Sequence, residues 1–372
     1  MQTLNIGFDA KRAFFNRSGL GNYSRNTINL LQKYFPEHNY YLYSPKSSNE
    51  LFNFEDKKFT IRTKNDKFTP SSYWRSFSLS NIIKSDNIQI FHGLSNELPF
   101  TISKSKAKSI VTIHDLIFLR YPELYKNIDR KIYNYKFRKS CENATKIIAI
   151  SNQTKSDIIE YFKIPETKIE VVYQTCNSSF YNKQNSAELK SVREKYNLPS
   201  NYILYVGTIE KRKNLLNIIK AINNYNINIP LIAVGRKTKY YNEIENYINK
   251  NNIINKLQIL SGVENSELPS IYQMAEMLVY PSTFEGFGLP IIEALFSGIP
   301  VITSKGGCFS EAGGEGAIYV DPINIDEIGN AINSVLNNKE LKDSLIENGK
   351  LQIKNFDEKI VTQKLMRVYE GV

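Results

Sequence analysis

Short, uninterrupted apolar runs, each followed by a turn and then a helical pattern, constrain what this chain can fold into more than any other feature. In the first half they are Leu4–Phe8, Tyr40–Tyr43, Ile88–Phe91, Ile110–Ile113, Ile147–Ile150 and Ile169–Val172. In the second half they are Ile203–Val206, Leu231–Val234, Leu257–Leu260, Met277–Tyr280, Val301–Thr303 and Ile318–Val320. Amphipathic stretches such as Tyr23–Tyr34 and Leu215–Asn223 lie between them. Apolar strands that alternate with helices form parallel sheets covered on both faces. Two successive sets of such runs indicate two doubly wound α/β domains, and the break near residues 175–200 argues against one closed barrel. Thr175–Ser179, a polar helix and then Pro199–Asn201 read as the linker, which gives domains 1–178 and 179–355. A final segment, 356–372, carries a helical pattern from Phe356 to Tyr369.

Composition narrows the class of protein. No window approaches the roughly 20 apolar residues of a membrane-spanning helix. The segment Met1–Asp9 reads as a first strand rather than the basic-then-apolar layout of a signal peptide. The three cysteines, Cys141, Cys176 and Cys308, have no metal-ligand spacing, and a reduced, cytoplasmic compartment fits them. The net charge of +11 is unevenly placed: residues 1–178 hold 27 Lys/Arg against 16 Asp/Glu, and residues 179–372 hold 21 against 21. A basic first half suits an acidic partner, such as an acidic membrane surface or a lipid-diphosphate carrier, or it serves solubility. Nucleic acid is not expected, because no zinc-finger spacing or RNP-like segment appears.

Open parallel sheets bind ligands beyond the carboxyl ends of their strands, so chemistry is sought there. The most informative segment is Pro281–Ala294, in which a strand end, a glycine-containing turn and a proline-led helix follow one another. Gly286 and Gly288 let the backbone approach a ligand, and the helix start offers N–H groups to an anion. Glu285 in the loop and Glu293 about one turn into the helix can face one cleft and accept paired hydrogen bonds from vicinal hydroxyls. The bland alternative is an acidic residue that only stabilises a helix dipole. Val206–Leu215 follows the first strand of the second half, and there Arg212 and Lys213 can hold a diphosphate or simply form a solvated basic turn.

In the first half, Gly19 and Gly21 lie in a loop that opens a helix. A third glycine is missing and the loop does not follow its strand tightly, so it is a weak dinucleotide fingerprint. His92 and His114 both stand at strand ends. His114 can bond a sugar hydroxyl while Asp115 fixes its tautomer or serves an acceptor; a histidine satisfied by backbone is the alternative. No converging ligands for a metal are present. The basic helix 129–139 turns Tyr133, Phe137 and Cys141 toward the core and Lys131, Tyr135, Arg138 and Lys139 away from it, as a membrane-surface patch or an ordinary solvated face.

Taken in order, these segments resemble the family 4, group 1 glycosyltransferases of the GT-B fold, two Rossmann-like domains facing each other across a cleft. The resemblance rests on Phe284–Pro290 with Glu285 and Glu293, on Val206–Asn214, Thr112–Leu116 and Ile148–Ser151, and on Ala317–Pro322. It implies a retaining transferase that moves a sugar, with mannose as a candidate, from a UDP- or GDP-sugar to a glycan or lipid-linked oligosaccharide in surface polysaccharide synthesis. It further implies that Glu285 holds the donor sugar, Glu293 the ribose, and Arg212 and Lys213 the diphosphate. Gly207, Gly286, Phe287, Gly288 and Leu289 would line the donor site and Val263 would contact the base. His114 would contact the sugar, Gly19 and Gly21 would close over the phosphate, and Asp115 would serve the acceptor. No metal or other cofactor is implied, and segment 356–372 would cross back to the first domain. The chain departs from the pattern at Thr208, where many relatives carry arginine, and in Lys305–Glu311. A GT-B sugar-nucleotide epimerase and a non-catalytic nucleotide-sugar-binding scaffold at a membrane are the competing readings.

Overall fold

The computed structural model of the chain describes residues 3–52 and 59–372. Met1 and Gln2 of the expected first strand lie outside the described residues. The chain divides into two compact units. Unit 1 runs to Gln174 and takes in Glu358–Val372, and unit 2 is Thr175–Asp357. The boundaries fall after residues 174 and 357, whereas the sequence pattern puts them after 178 and 355.

Unit 1 holds strands β1 (Asn5–Asp9), β2 (Asn39–Tyr43), β3 (Phe59–Arg62), β4 (Ile90–Gly93), β5 (Lys108–Ile113), β6 (Lys146–Ala149) and β7 (Ile169–Val171). They form one parallel sheet in the order β3-β2-β1-β4-β5-β6-β7. Unit 2 holds β8 (Ile203–Val206), β9 (Leu231–Val234), β10 (Leu257–Leu260), β11 (Met277–Tyr280), β12 (Val301–Ser304) and β13 (Ala317–Val320), parallel in the order β10-β9-β8-β11-β12-β13. The strand missed from sequence is β3. It is an edge strand in which polar Thr60 and Arg62 alternate with half-buried Phe59 and Ile61, so it never becomes an apolar run.

Every residue of β4, β9, β11 and β12 is buried, which is why each shows in the sequence as a short apolar run, even where His92 or Thr303 ends it. The helix Leu215–Asn224 buries Leu215, Ile218, Ile219 and Ile222 in the core of unit 2. Ile328, Ile332 and Val335 of the helix Ile325–Asn337 join the same core. These two helices pack at Gly329, where a Cβ would come within 2.4 Å of the Tyr225 ring. Glycine is required there for packing.

The helix Glu358–Glu370 is part of unit 1. Its Leu365, Met366 and Tyr369 pack with Ile6, Phe8 and Ile90, and Tyr34 donates to Glu358 Oε1 at 2.6 Å. Tyr369 hydroxyl lies 2.7 Å from His92 Nδ1, and His92 Nε2 lies 2.8 Å from Thr112 Oγ1. Burial pushes His92 down to about 3, so a neutral ring carries this chain of bonds. Tyr369→Phe should therefore leave a fully buried ring nitrogen without its partner and cost about 1–3 kcal/mol. Urea unfolding of the two proteins measures it; an unchanged midpoint would mean the bond does not hold this helix.

Candidate functional site

Where an open parallel sheet reverses its strand order, the loops leaving two neighbouring strands diverge and open a crevice. In unit 2 the neighbours are β8 and β11, paired at Ile203 with Met277 and at Leu204 with Leu278. The loops after Val206 and Tyr280 must supply any site there. Gly207 leaves β8 at φ +150°, and a Cβ on it would come within 3.0 Å of Lys213 Cδ. Lys211–Lys213 form one 3-10 turn, and left-handed Asn214 (φ +63°) opens the next helix. Asn214 donates to the Pro281 carbonyl at 3.2 Å, and Thr283 N–H donates to the Arg212 carbonyl at 2.9 Å. These bonds stitch the two loops together and set Arg212 and Lys213 over the turn that carries Glu285.

Four donors meet on one oxygen, Glu285 Oε1. Tyr280 hydroxyl lies at 2.6 Å, Arg212 Nη1 at 2.8 Å, Ser282 Oγ at 2.9 Å and Lys213 Nζ at 3.0 Å. Burial opposes the charge, but Lys213, Arg212 and the Tyr280 bond outweigh it and hold the carboxyl at about 2. Arg212 Nη2 also reaches Glu210 at 2.6 Å. Burial works against the Arg212 charge too, but Glu285 and Glu210 raise its proton affinity above that of an ordinary arginine. Lys213 donates to the Tyr280 hydroxyl at 2.6 Å as well.

Glu293, in the helix Leu289–Phe296, has a different environment. It accepts from Tyr272 hydroxyl at 2.8 Å on Oε2, and burial lifts it to about 7 although that bond and Lys213 pull it down. Gly288 caps this helix at φ +109°, Leu289 is its first residue and Pro290 sits in its first turn. Gly286 lies in the loop just before that cap. Phe287 is 3% exposed and packs edge-on against Phe356 at 5.6 Å, so its ring belongs to the core. Val263 follows Gly262 (φ +75°) at the end of β10, on the same carboxyl edge of the sheet.

The first-half candidates lie in unit 1. Gly19 and Gly21 are not in a loop: they form the first turn of the helix Gly19–Tyr34. A Cβ on Gly21 would fall 1.8 Å from the Asn16 carbonyl oxygen, so Gly21 answers a close backbone approach, whereas Gly19 faces open space. His114 is buried, with Nε2 2.9 Å from the Leu94 carbonyl and Tyr23 edge-on at 4.7 Å. A carbonyl only accepts, so Leu94 rather than Asp115 sets the tautomer. Burial lowers His114 to about 4, and the ring is neutral. Asp115 Oδ1 accepts from Ile117 N–H at 3.1 Å. His92, the other strand-end histidine, is wholly taken up by Tyr369 and Thr112.

Sequence reasoning misses Tyr280, Ser282, Tyr272 and Glu210 as parts of the site. Tyr280 reads as one more residue of an apolar strand, yet a tyrosine at the last position of a buried parallel strand carries its hydroxyl past the strand end. Also missed is the ion cluster at the reversal of the unit 1 sheet, beyond β1 and β4. There Arg75 Nε donates to Asp9 at 3.0 Å, and Lys136 reaches Glu97 at 3.4 Å. Among the described residues no three His, Cys, Asp or Glu side chains cluster to hold a metal ion.

The two glutamates bend the stability curve in opposite directions. Glu285, held below its ordinary 4.5, contributes stability that is present above that value and lost as pH falls toward about 2. Glu293, raised from 4.5 to about 7, stays protonated in the folded chain while the unfolded chain ionises, so its contribution is lost as pH rises through that window. Glu293→Gln should accordingly gain stability relative to the parent between about pH 5 and 7.5 in urea unfolding. A difference independent of pH would show that Glu293 titrates normally.

Residues 188–352 match the family model for "Glycosyl transferases group 1", and residues 17–179 match that for "Glycosyltransferase Family 4". O-antigen chain mannosyltransferase B of Escherichia coli is 30% identical over 287 residues, covering 76% of this chain and 74% of that protein. The capsular polysaccharide biosynthesis glycosyltransferase CapM of Staphylococcus aureus is 29% identical over 238 residues, 61% of each. Among solved structures, a glycosyltransferase from Rickettsia africae superposes with a TM-score of 0.78 at 22% identity, covering 100% of this chain and 99% of that one. Anabaena Alr3699/HepE, solved in complex with UDP-glucose, also gives 0.78, at 15% identity over 100% of both chains.

Proposed function

We propose that this chain, which belongs to the group 1 glycosyltransferases of family 4 and has their GT-B fold, moves a hexosyl residue from a nucleoside diphosphate sugar onto a growing glycan with retention at the anomeric carbon. The observation that carries this reading is the ionised Glu285 held between Arg212 and Lys213 at the sheet reversal of unit 2.

In this reading Arg212 and Lys213 pass from Glu285 to the incoming diphosphate, with the helix start at Leu289 supplying N–H groups. Glu285 Oε2, which takes none of the four bonds on its neighbour, accepts a hydroxyl of the donor sugar. The bond from anomeric carbon to phosphate oxygen breaks with its electron pair going to the diphosphate. The acceptor hydroxyl forms the new bond from the same face, and its proton passes to the departing oxygen. Once they have exchanged Glu285 for the diphosphate, the two cations stabilise the leaving group's developing charge with no further rearrangement in the chemical step. Glu293 accepts the ribose hydroxyls while Tyr272 fixes its other oxygen, and Val263 contacts the base. For unit 1, taken by itself, the same reading gives His114 to a sugar and Asp115 to the acceptor. The O-antigen chain mannosyltransferases among the relatives support mannose as the sugar and a surface polysaccharide as the product; the lipid-linked acceptor is part of the proposal alone.

Thermal unfolding with UDP, GDP, ADP and NAD tests the donor site. A nucleoside diphosphate at 100 times its dissociation constant should add about 2.7 kcal/mol of stability to the parent protein. Glu293→Ala should lose most of that gain. Stabilisation by NAD alone, or by no diphosphate at all, would overturn the assignment.

A further inference from the structure

The helix Asn127–Asn143 of unit 1 is apolar on two opposite sides. Phe137 and Cys141 face the core. On the far side Ile128, Ile132 and Tyr135 recur at i, i+4 and i+7, one stripe of a helix, and are 67%, 46% and 58% exposed. The solvated face expected from sequence therefore carries bare isoleucines between its lysines. Arg138, expected to point away with them, instead donates to the Tyr161 carbonyl at 2.9 Å and lies 5.1 Å over the Phe162 ring.

The stripe continues across the surface as a row of rings. Tyr135 stands 5.7 Å from Phe100, Phe100 5.6 Å from Phe77, and Phe77 5.1 Å from Tyr73. Tyr73 and Phe77 are 54% and 44% exposed; Tyr73 precedes and Phe77 lies within a π-helical turn, Trp74–Ser78, whose Trp74 is buried. Two hydrogen bonds tie the segments that carry the rings together. Phe100 N–H donates to the Ser76 carbonyl at 2.9 Å, and Thr101 Oγ1 donates to the Phe77 carbonyl at 3.1 Å.

Basic residues outnumber acidic ones in the segments that carry the rings: Lys67, Lys104, Lys106, Lys126 and Lys131 are exposed there, against exposed Asp66, Glu123 and Glu142. They belong to the half of the chain with 27 Lys/Arg against 16 Asp/Glu. Exposed aliphatic and aromatic side chains rimmed by lysines match an interface whose outer layer is anionic and whose next layer is hydrocarbon. Aromatic rings favour that boundary, because it is apolar on one side and wet on the other. A soluble glycan would favour the rings but has no use for bare isoleucines. Among the described residues no helix is long and apolar enough to cross a membrane.

We propose that the face formed by Tyr73, Phe77, Tyr135, Ile132 and Ile128 docks unit 1 on an anionic lipid surface, with the surrounding lysines supplying the attraction. This does not rest on the donor-site reading. The full chain should cosediment with vesicles of phosphatidylcholine containing roughly a third phosphatidylglycerol, far more than with phosphatidylcholine alone, and should release as salt is raised. The triple variant Ile128→Ser, Ile132→Ser, Tyr135→Ser should keep its melting temperature and lose about tenfold or more in partition. As a second probe, the single variant Tyr135→Trp should shift its emission to the blue on the mixed vesicles. Equal binding to both lipid compositions, unchanged binding of the triple variant, or an unshifted emission from the tryptophan variant overturns the proposal. So does a triple variant that alters only self-association in light scattering, or only binding to soluble mannan.

Discussion

The arrangement of the candidate site depends on how much positive charge reaches a single carboxylate oxygen. Glu285 Oε1 is met by a lysine, an arginine and two hydroxyls, all within 3.0 Å. A carboxylate in that position without those partners would take up a proton rather than stay charged. The cations are equally dependent on it, since Arg212 is largely enclosed and is kept charged by Glu285 and Glu210 together. Arg212 and Lys213 face Glu210 and Glu285, so the local charge balances before any ligand arrives. An anionic ligand must therefore exchange partners with Glu285 instead of filling an unmatched positive hole. That distinguishes this site from a simple basic turn.

What brings these groups together is topology. Residues 212 and 285 are far apart in sequence, and they meet because β8 and β11 are neighbours at the point where the sheet reverses. The same reversal in unit 1 falls between β1 and β4, and there too ions collect, Asp9 with Arg75 and Glu97 with Lys136. Parallel strands leave their last carbonyls and the following loops on one edge, so polar side chains gather where two loops part. The tyrosines follow the same logic. Tyr280 and Tyr272 are buried along their bodies and place only their hydroxyls against carboxylates, an apolar stem ending in a polar tip.

Much of this is readable from the amino-acid sequence, for identifiable reasons. Strands buried on both faces announce themselves as apolar runs, and twelve of the thirteen among the described residues are placed that way. The exception, β3, lies at an edge where one side meets solvent and the run dissolves into alternation. The turns that carry Arg212, Lys213 and Glu285 are found because glycine and proline mark strand ends. The bonds between them are not, because nothing in the spacing of residues 207–215 says which carboxylate they face. Gly21 answers the Asn16 carbonyl, and a glycine that admits a ligand and one that admits backbone look alike in sequence. The exposed isoleucines of the basic helix escape notice for a related reason: helical spacing tells which residues share a face, but not whether anything covers it.

Glu285 and Glu293 show where sequence reasoning stops and environment begins. Both are glutamates of one turn-and-helix segment, and spacing alone makes them equivalent partners for hydroxyls. In the folded unit one is held at about 2 and the other is lifted to about 7. Burial pushes both upward, so burial cannot be the source of the difference. The source is the loop after β8, whose two cations close on Glu285 Oε1 while Glu293 receives a neutral hydroxyl from Tyr272 and only a weaker influence from Lys213. The bonds from Asn214 to the Pro281 carbonyl and from Thr283 N–H to the Arg212 carbonyl hold that loop against the turn, and so place both cations on Glu285 rather than Glu293.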